Sequence, residues 1–247
     1  MALNLKEDAF VDATPLKRGT TAQPAAIPKS NNISGIELRL SRALIINNKT
    51  PKVGPFPGFS KMYLVIVVVS DIGTVMQTLD LKSFAKVNDN EDLPVDKTIY
   101  YWKQNKPKDK APSQIHTLIS IVKSKQALRD TGKILSDVKN DSEYASLVDT
   151  LKTTIGNAAD LTNISNLVFS AASIVGKYLG QVEDKALFTW VKSFTDINGD
   201  WDQLGTTIKT QKNNFASIDL SLTIRDKNRE VALAKANGLS IEELENA

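Results

Sequence analysis

The sequence predicts a mainly β protein, an antiparallel β-sandwich with an inserted α-helical hairpin. Short runs rich in β-branched residues, in which apolar and polar residues alternate, lie on both sides of residues 141–180. Within that block the apolar residues recur at helical spacing instead. We therefore expect a flexible N-terminal arm at 1–32, a sandwich at 33–226 with the hairpin at 141–180, and a C-terminal tail with a short helix at 227–247.

The composition excludes several classes of functional site. The 247 residues include no cysteine and a single histidine, His116. Disulfides, thiolate metal centres and sites with several histidine ligands are therefore excluded. The 31 basic and 28 acidic residues give a net charge of +3, and they form no concentrated basic stripe. No nucleic-acid partner is expected.

The hydropathy pattern predicts no membrane-spanning segment. The N-terminal residues lack the apolar core of a Sec signal peptide. The most apolar run, 62–69, is far shorter than the roughly 20 residues that a transmembrane helix needs. Residues 161–179 are interrupted by Asn, Ser and Lys, as in an amphipathic helix. We expect a soluble chain that is cytoplasmic, or exported without a Sec signal peptide.

The predicted strands flank the helical block. Residues 35–47 begin with strict alternation, which is typical of a half-buried strand. The continuous Val/Ile run at 61–70 indicates a central strand that is buried on both faces. The segment 132–138 is predicted to be a short strand or a turn. The other predicted strands are 74–81, 97–102, 114–123, 186–194 and 215–225.

Two apolar stripes define the hairpin, and three roles are open to it. Asn140 and Glu143 have the spacing of a capping box at the start of the first helix. Gly180 stands where a left-handed cap would end the second helix. The hairpin can cover a sheet face, mediate subunit contacts in an assembly, or insert into a membrane. The stripes consist of Tyr144, Leu147, Val148, Leu151, Ile155 and Ala158, and of Ile164, Leu167, Val168, Ala171, Val175 and Tyr178.

Three stretches in chain order resemble the C-two domain, the calcium- and phospholipid-binding β-sandwich. The resemblance covers residues 35–138 and 186–226, and it implies a C-two-like sandwich. Its motifs are Ser60-Lys61-Met62-Tyr63 before LVIVVV, Asp92-Leu93-Pro94-Val95 before KTIYYW, and HTLISIV before Lys123-Ser124-Lys125 and Arg129-Asp130-Thr131-Gly132.

The resemblance also implies that the calcium site of that family is absent here. The family's calcium-binding aspartates would fall at Lys61, Lys123 and Lys125, whose ammonium groups would repel the ion. The resemblance therefore implies a calcium-independent relative that presents Lys52, Lys61, Lys123 and Lys125 as a basic rim for an acidic protein or a lipid headgroup. The alternative is that these lysines are scattered and solvated.

The sharpest local motif is Asp196-Ile197-Asn198-Gly199-Asp200-Trp201-Asp202. Its opening resembles an EF-hand loop, and Asp196, Asn198, Asp200 and Asp202 would supply oxygen ligands for calcium. The sixth position, however, is Trp201 rather than Gly, and the twelfth is Thr207 rather than a bidentate Glu. The alternative is an Asp/Asn-rich turn whose side chains bond to their own backbone.

No pattern of residues predicts a catalytic centre. His116 lies in the middle of a predicted strand, among apolar neighbours, as a packed histidine would. The aromatic residues favour a sugar-binding face only weakly, and at least one set of them is expected in the core; they are Tyr100, Tyr101, Trp102, Trp190 and Trp201. The sequence therefore predicts a protein that is not an enzyme and has no cofactor, calcium excepted. We expect a binding or structural protein acting through protein contacts, as a homo-oligomer or larger assembly. The alternatives are a calcium-independent lipid-binding module at a membrane surface and a calcium-binding module through residues 196–202.

Overall fold

In the computed structural model the chain forms two β-sheets and a layer of helices. The five strands of the inner sheet are β1 (Phe10–Asp12), β3 (Ser60–Ser70), β4 (Met76–Val87), β7 (Gln114–Ser124) and β8 (Lys185–Thr195). The outer sheet comprises β2 (Gly35–Ile45), β5 (Glu91–Asp92), β6 (Lys97–Lys103), β9 (Gly205–Lys212) and β10 (Ala216–Arg225). The helices are α1 (Thr131–Lys139), α2 (Ser142–Gly156) and α3 (Leu161–Leu179). The structure describes residues 5, 9–12, 33–51, 58–72, 76–106, 108–156, 161–179 and 185–227.

The strand pairing is antiparallel in both sheets, apart from one short parallel strand. The inner sheet has the order β1-β8-β7-β3-β4, and only β1, among the described strands, pairs in parallel. The outer sheet has the order β5-β2-β10-β9, and β6 pairs with β2 on the same side as β5. The predicted fold class, an antiparallel β-sandwich with inserted helices, is confirmed.

The central strands of the inner sheet are buried on both faces, and this burial explains why the sequence of β3 is continuously apolar. Met62, Leu64, Ile66 and Val68 face the outer sheet and belong to the core between the sheets. The alternate residues, from Tyr63 to Val69, belong to a second core that α1, α2 and α3 close from the other side. Each fully buried Val contributes about 1.5 kcal/mol or more relative to exposure. A strand in this position therefore cannot alternate between apolar and polar residues.

The helical segment has one more helix than the sequence analysis predicts. The predicted hairpin corresponds to α2 and α3, but the segment predicted as a short strand or turn at 132–138 is helix α1. Asp130 caps α1, since its Oδ1 accepts from the backbone N–H of Gly132 at 2.8 Å and of Lys133 at 3.2 Å. Ile134 and Val138, one helical turn apart, are its buried residues.

The capping residue of α2 also differs from the prediction. Asn140 ends α1 rather than starting α2. Asp141 takes over as the capping residue, because its Oδ1 accepts from the Glu143 N–H at 2.7 Å. Its other oxygen accepts from the Tyr178 hydroxyl at 2.7 Å, which ties the start of α2 to the end of α3. These bonds, with that to Lys177, hold the pKa of Asp141 below its usual value. The predicted cap at Gly180 lies outside the described residues.

Three strands were not predicted. The strand β9, GTTIKTQK, contains one apolar residue, Ile208, which is 65% exposed. The strands β1 and β5 have three and two residues, too few to show a period. Of the predicted tail, only residue 227 is described. Within the described residues, no helix combines the length and the apolar character that crossing a bilayer would require.

His116 is a packed histidine on the helix-facing side of the inner sheet. It is fully buried, its Nδ1 lies 2.8 Å from the Ser193 hydroxyl, and its Nε2 lies 3.1 Å from the Gln114 side-chain oxygen. Burial lowers the pKa of His116 to about 4. Neither of these two partners is a carboxylate, so the arrangement is not that of a Ser-His-Asp triad.

The buried imidazole predicts a loss of stability in mild acid. The folded protein has a His116 pKa below the ordinary value of 6.5, so the unfolded chain binds the proton more readily. Stability is fully present above pH 6.5 and falls as the pH drops towards 4, by about 2 to 3 kcal/mol between pH 7.5 and 4.5. Urea unfolding of the wild type and His116→Gln at both pH values measures this. We expect His116→Gln to lose about 2 to 3 kcal/mol less unfolding free energy than the wild type between the two pH values. Equal losses in the two proteins would contradict the prediction.

Candidate functional site

The N-terminal strand β1 covers the outer edge of β8. Phe10, Val11 and Asp12 pair in parallel with residues 190–192. The Phe10 ring lies 5.8 Å, centroid to centroid, from the Phe188 ring. A short segment from near the N-terminus therefore covers the middle of this edge of the inner sheet.

Two further contacts anchor this N-terminal segment. The Lys192 ammonium donates to the Asp12 carboxylate at 2.7 Å, and the Lys192 side chain is only 9% exposed. Leu5 is fully buried in the core between the inner sheet and the helices. An aromatic contact and a largely buried ion pair thus hold β1 at the edge of β8, and the buried Leu5 anchors the chain in the neighbouring core. The rest of the predicted arm, 1–32, lies outside the described residues, apart from residue 9.

The 196–202 loop is built around backbone bonds and one buried ring. The Thr195 N–H donates to Asp200 Oδ2 at 2.8 Å, and the Asp200 N–H donates to the Thr195 carbonyl at 3.1 Å. Gly199 has a φ of +74°, a conformation that favours glycine. Trp201 is fully buried and donates from its indole N–H to the Pro112 carbonyl at 3.0 Å. The tryptophan that breaks the EF-hand pattern therefore anchors the loop to the core.

The electrostatics of the loop disfavour ionised carboxylates at two positions. Burial raises the pKa of Asp200, against the Thr195 hydrogen bond and the charges of Lys192 and Lys209. Burial also raises the pKa of Asp196, and the nearby negative charges of Asp71 and Asp202 raise it further. Throughout the part of the chain that the structure describes, no group of three or more Asp, Glu or His side chains is arranged to hold a metal ion. Calcium binding by Asp196, Asn198, Asp200 and Asp202 stays a prediction from composition.

The predicted rim is brought together in part. The pairing of β3 with β7 sets Lys61 opposite Ser124 and Met62 opposite Lys123. Lys61, Lys123 and Lys125 therefore lie at one end of the inner sheet, with Lys61 and Lys125 exposed. Lys52 lies outside the described residues.

Lys123 is the least accessible of these three lysines, and it bonds to a neighbouring loop. Its ammonium donates to the Lys49 carbonyl at 2.9 Å and to the Thr50 hydroxyl at 2.8 Å. Burial lowers its pKa, and the positive charges of Lys125 and Lys49 lower it further. The structure adds Lys49 to the rim, a residue that sequence reasoning missed because its loop meets β7 only in the folded chain.

Comparisons with known proteins leave the family open. No protein-family model matches the sequence, and no curated protein matches it. One solved structure that matches is human GIVD cytosolic phospholipase A2 in complex with methyl gamma-linolenyl fluorophosphonate and terbium chloride. The identity is 9% and the TM-score is 0.32, over 79% of this chain and 17% of that chain. A likeness of this size carries no argument about function, and the C-two resemblance stays a prediction.

Two substitutions of Asp200 test whether its negative charge contributes to stability. Because burial raises the folded-state pKa of Asp200, its contribution to stability is fully present below the ordinary pKa and is lost as the pH rises through the folded-state pKa. Ionisation of Asp200 therefore costs stability. Asp200→Asn keeps an acceptor for the Thr195 N–H and removes the charge. Thermal unfolding at pH 7 should show Asp200→Asn at least as stable as the wild type, and Asp200→Ala less stable by about 1 kcal/mol.

The opposite result would favour a bound cation. If Asp200→Asn destabilises the protein as much as Asp200→Ala, the negative charge itself contributes. A calcium titration of both proteins would then show whether the ion raises the melting temperature of the wild type alone.

Proposed function

We propose that the chain is a non-enzymatic structural or binding protein that acts through protein contacts and assembles with copies of itself. The observation that carries the proposal is the docking of the N-terminal segment, with β1 at the edge of β8 and Leu5 in the core beneath the helices. Strand addition at a sheet edge is a general mode of protein association: backbone bonds supply affinity and side-chain pockets supply specificity. Here Leu5 and Phe10 are the side-chain anchors.

The length of chain that follows β1 allows the same contact between two molecules. Residues 13–32, 20 in number, separate the docked segment from the sandwich, and a chain of that length spans at most about 70 Å. A link of this length gives an effective concentration on the order of millimolar for docking within one molecule. Docking of the segment onto a second copy therefore competes with docking within one molecule when subunits are concentrated or when further contacts hold them together. A head-to-tail exchange of arms would produce a ring or an open chain of subunits.

The absence of cysteine permits a direct test by disulfide trapping. Asp12 and Lys192 are paired in register across β1 and β8, so cysteines at both positions lie at a spacing that a disulfide accepts. In Asp12→Cys/Lys192→Cys, docking within one molecule gives a cross-linked monomer. Docking between molecules gives a ladder of covalent oligomers on non-reducing gels. We expect the ladder to grow with protein concentration.

A matched pair of cysteines controls for random cross-linking. Thr206 and Thr223 face each other on β9 and β10, with their hydroxyls 2.8 Å apart. Oxidised Thr206→Cys/Thr223→Cys should therefore remain a monomer at every concentration. If the Asp12/Lys192 cysteine pair gives only cross-linked monomer at every concentration, the arm is not exchanged between molecules.

Removal of the docked segment tests self-assembly by a separate route. Deletion of residues 1–12 exposes the β8 edge and removes Leu5 and Phe10 from the two cores. Light scattering of the full chain and of the shortened chain measures the mass of each in solution. We expect a mass above that of one subunit for concentrated full chain, and a reduced mass after the deletion. A monomer in both cases would contradict the proposal.

A specific observation supports the lipid-binding alternative. The structure brings Lys61, Lys123 and Lys125 to one end of the inner sheet, where burial and, after it, the positive charges of Lys125 and Lys49 lower the pKa of Lys123. An anionic headgroup would relieve that repulsion. Sedimentation with phosphatidylserine vesicles should then be strong at low salt, weak at high salt, and reduced in Lys61→Glu/Lys125→Glu. The control Lys139→Glu/Lys209→Glu changes charge equally elsewhere, and an equal effect of both double variants would leave the rim without a role.

A further inference from the structure

Two alternate rungs of the outer sheet, separated by one rung that faces the core, place an unusual set of side chains on its solvent face. In the first rung Gly35 of β2 lies between Lys103 of β6 and Arg225 of β10. Because side chains alternate along a strand, residues two positions away share the same face. The second rung on that face is therefore Glu37 between Tyr101 and Thr223.

Gly35 turns the first rung into a notch. A Cβ atom on this glycine would lie 3.4 Å from Arg225 Cβ, 3.6 Å from Arg225 Cγ and 3.7 Å from the Trp102 carbonyl oxygen. The absent side chain thus leaves a gap between two long cationic side chains. The gap opens into a cavity of about 370 Å³. Its lining comprises Ser34, Gly35, Ile36, Glu37, Tyr101, Lys103, Thr223, Arg225 and Lys227.

The lining combines positive charge, an aromatic face and hydroxyl groups. Lys103, Arg225 and Lys227 supply three positive charges, and Glu37 supplies the negative charge. Tyr101 is 63% exposed, although a large aromatic side chain on an open sheet would ordinarily pack against something. Ser34 and Thr223 add hydroxyl groups at the two sides of the notch.

We infer that this notch binds a hexose-sized ring that carries one anionic group, either a phosphate or a carboxylate. The guanidinium of Arg225 and the ammonium groups of Lys103 and Lys227 suit an oxyanion seated over Gly35. The Tyr101 ring offers a flat apolar surface to the carbon face of a sugar, and Glu37, Ser34 and Thr223 suit its hydroxyls.

The size and charge of the notch disfavour extended ligands and polyanions. A cavity of about 370 Å³ is at the lower end of the range for ligand sites and holds one ring rather than an extended chain. The Glu37 carboxylate would repel the second and third phosphates of a polyanion such as a nucleic acid strand. The inference goes beyond self-assembly, because the notch and the β8 edge belong to different sheets.

Chemical-shift titration of the full-length ¹⁵N-labelled protein tests the inference with named probes. Glucose 6-phosphate and glucuronate carry both the ring and the anionic group. Glucose lacks the anionic group, and inorganic phosphate lacks the ring. We expect saturable binding of at least one of the first two. Glucose and phosphate should each bind about tenfold more weakly or worse, since each loses one set of contacts.

Variants separate the notch from the rest of the surface. Tyr101→Thr keeps a residue that favours strands and removes the ring, Arg225→Gln removes one charge, and Gly35→Val fills the floor. Each should weaken binding about tenfold. Lys209→Gln, on β9 and outside the lining, lowers the net charge by the same amount as Arg225→Gln and should leave binding unchanged. Melting temperatures confirm that each variant is folded, and Lys209→Gln shows whether charge alone matters.

Three results would overturn the inference. One is the absence of saturable shifts with both ring-bearing anions. Another is inorganic phosphate that binds as tightly as glucose 6-phosphate, which would indicate an anion site without a ring contact. The third is unchanged binding in Tyr101→Thr and Gly35→Val, which would place the ligand elsewhere. None of these results depends on the oligomeric state of the protein.

Discussion

The structure depends on one constraint, which is that the central strands of the inner sheet are buried on both faces. Along β3 the residues that point away from the outer sheet, including Tyr63, Val65 and Val67, are as deeply buried as those that point towards it. Water on either face would expose a row of large apolar side chains, at a cost of roughly 1.5 to 3 kcal/mol for each. The helices α1, α2 and α3 are therefore a required third layer, and the sandwich alone would be incomplete.

This layering decides where contacts with other molecules can form. The helices cover one face of the inner sheet and the outer sheet covers the other, so the inner sheet offers only its edges and ends. Its β8 edge holds the N-terminal segment, and one of its ends holds the lysine rim. The outer sheet differs because it alternates: Leu38 and Leu40 enter the core, while Glu37 and Arg39 face away from it. Its solvent face carries the Gly35 notch.

The sequence was informative wherever burial imposes a period. The Val/Ile run of β3, the alternation of β10 and the stripes of α2 and α3 each predicted an element correctly, because their side chains, as far as the structure describes them, pack into a core. The helix α1 was missed because nine residues with two buried positions, Ile134 and Val138, do not establish a helical period. The strand β9 was missed because an edge strand with little burial has no need of alternation, and its pairing with β10 alone makes it a strand.

The candidate sites were harder to predict, since they arise from pairing between distant segments. Nothing near Phe10 in the sequence indicates that it will lie beside β8. Lys123 was predicted as a rim residue, but its contact with the Lys49 loop follows only from the fold. In the 196–202 loop the sequence pattern suggested a function that the fold does not require. Its composition suggested oxygen ligands, whereas burial of Trp201 and the backbone bond to Asp200 determine its conformation.

The geometry of the Gly35 notch is nevertheless fixed by the hydrophobic core. Between its two rungs lies a third, in which Ile36 is flanked by Trp102 and Ile224 and points into the core. A slip of β6 or β10 by one residue would turn Trp102 or Ile224 to the solvent face and bury Lys103 or Arg225 in its place. The irregularities in the pairing of β2 occur beyond Leu38 and leave both rungs in register. The same apolar contacts that hold the outer sheet to the inner one therefore keep Lys103, Arg225 and Tyr101 on one face.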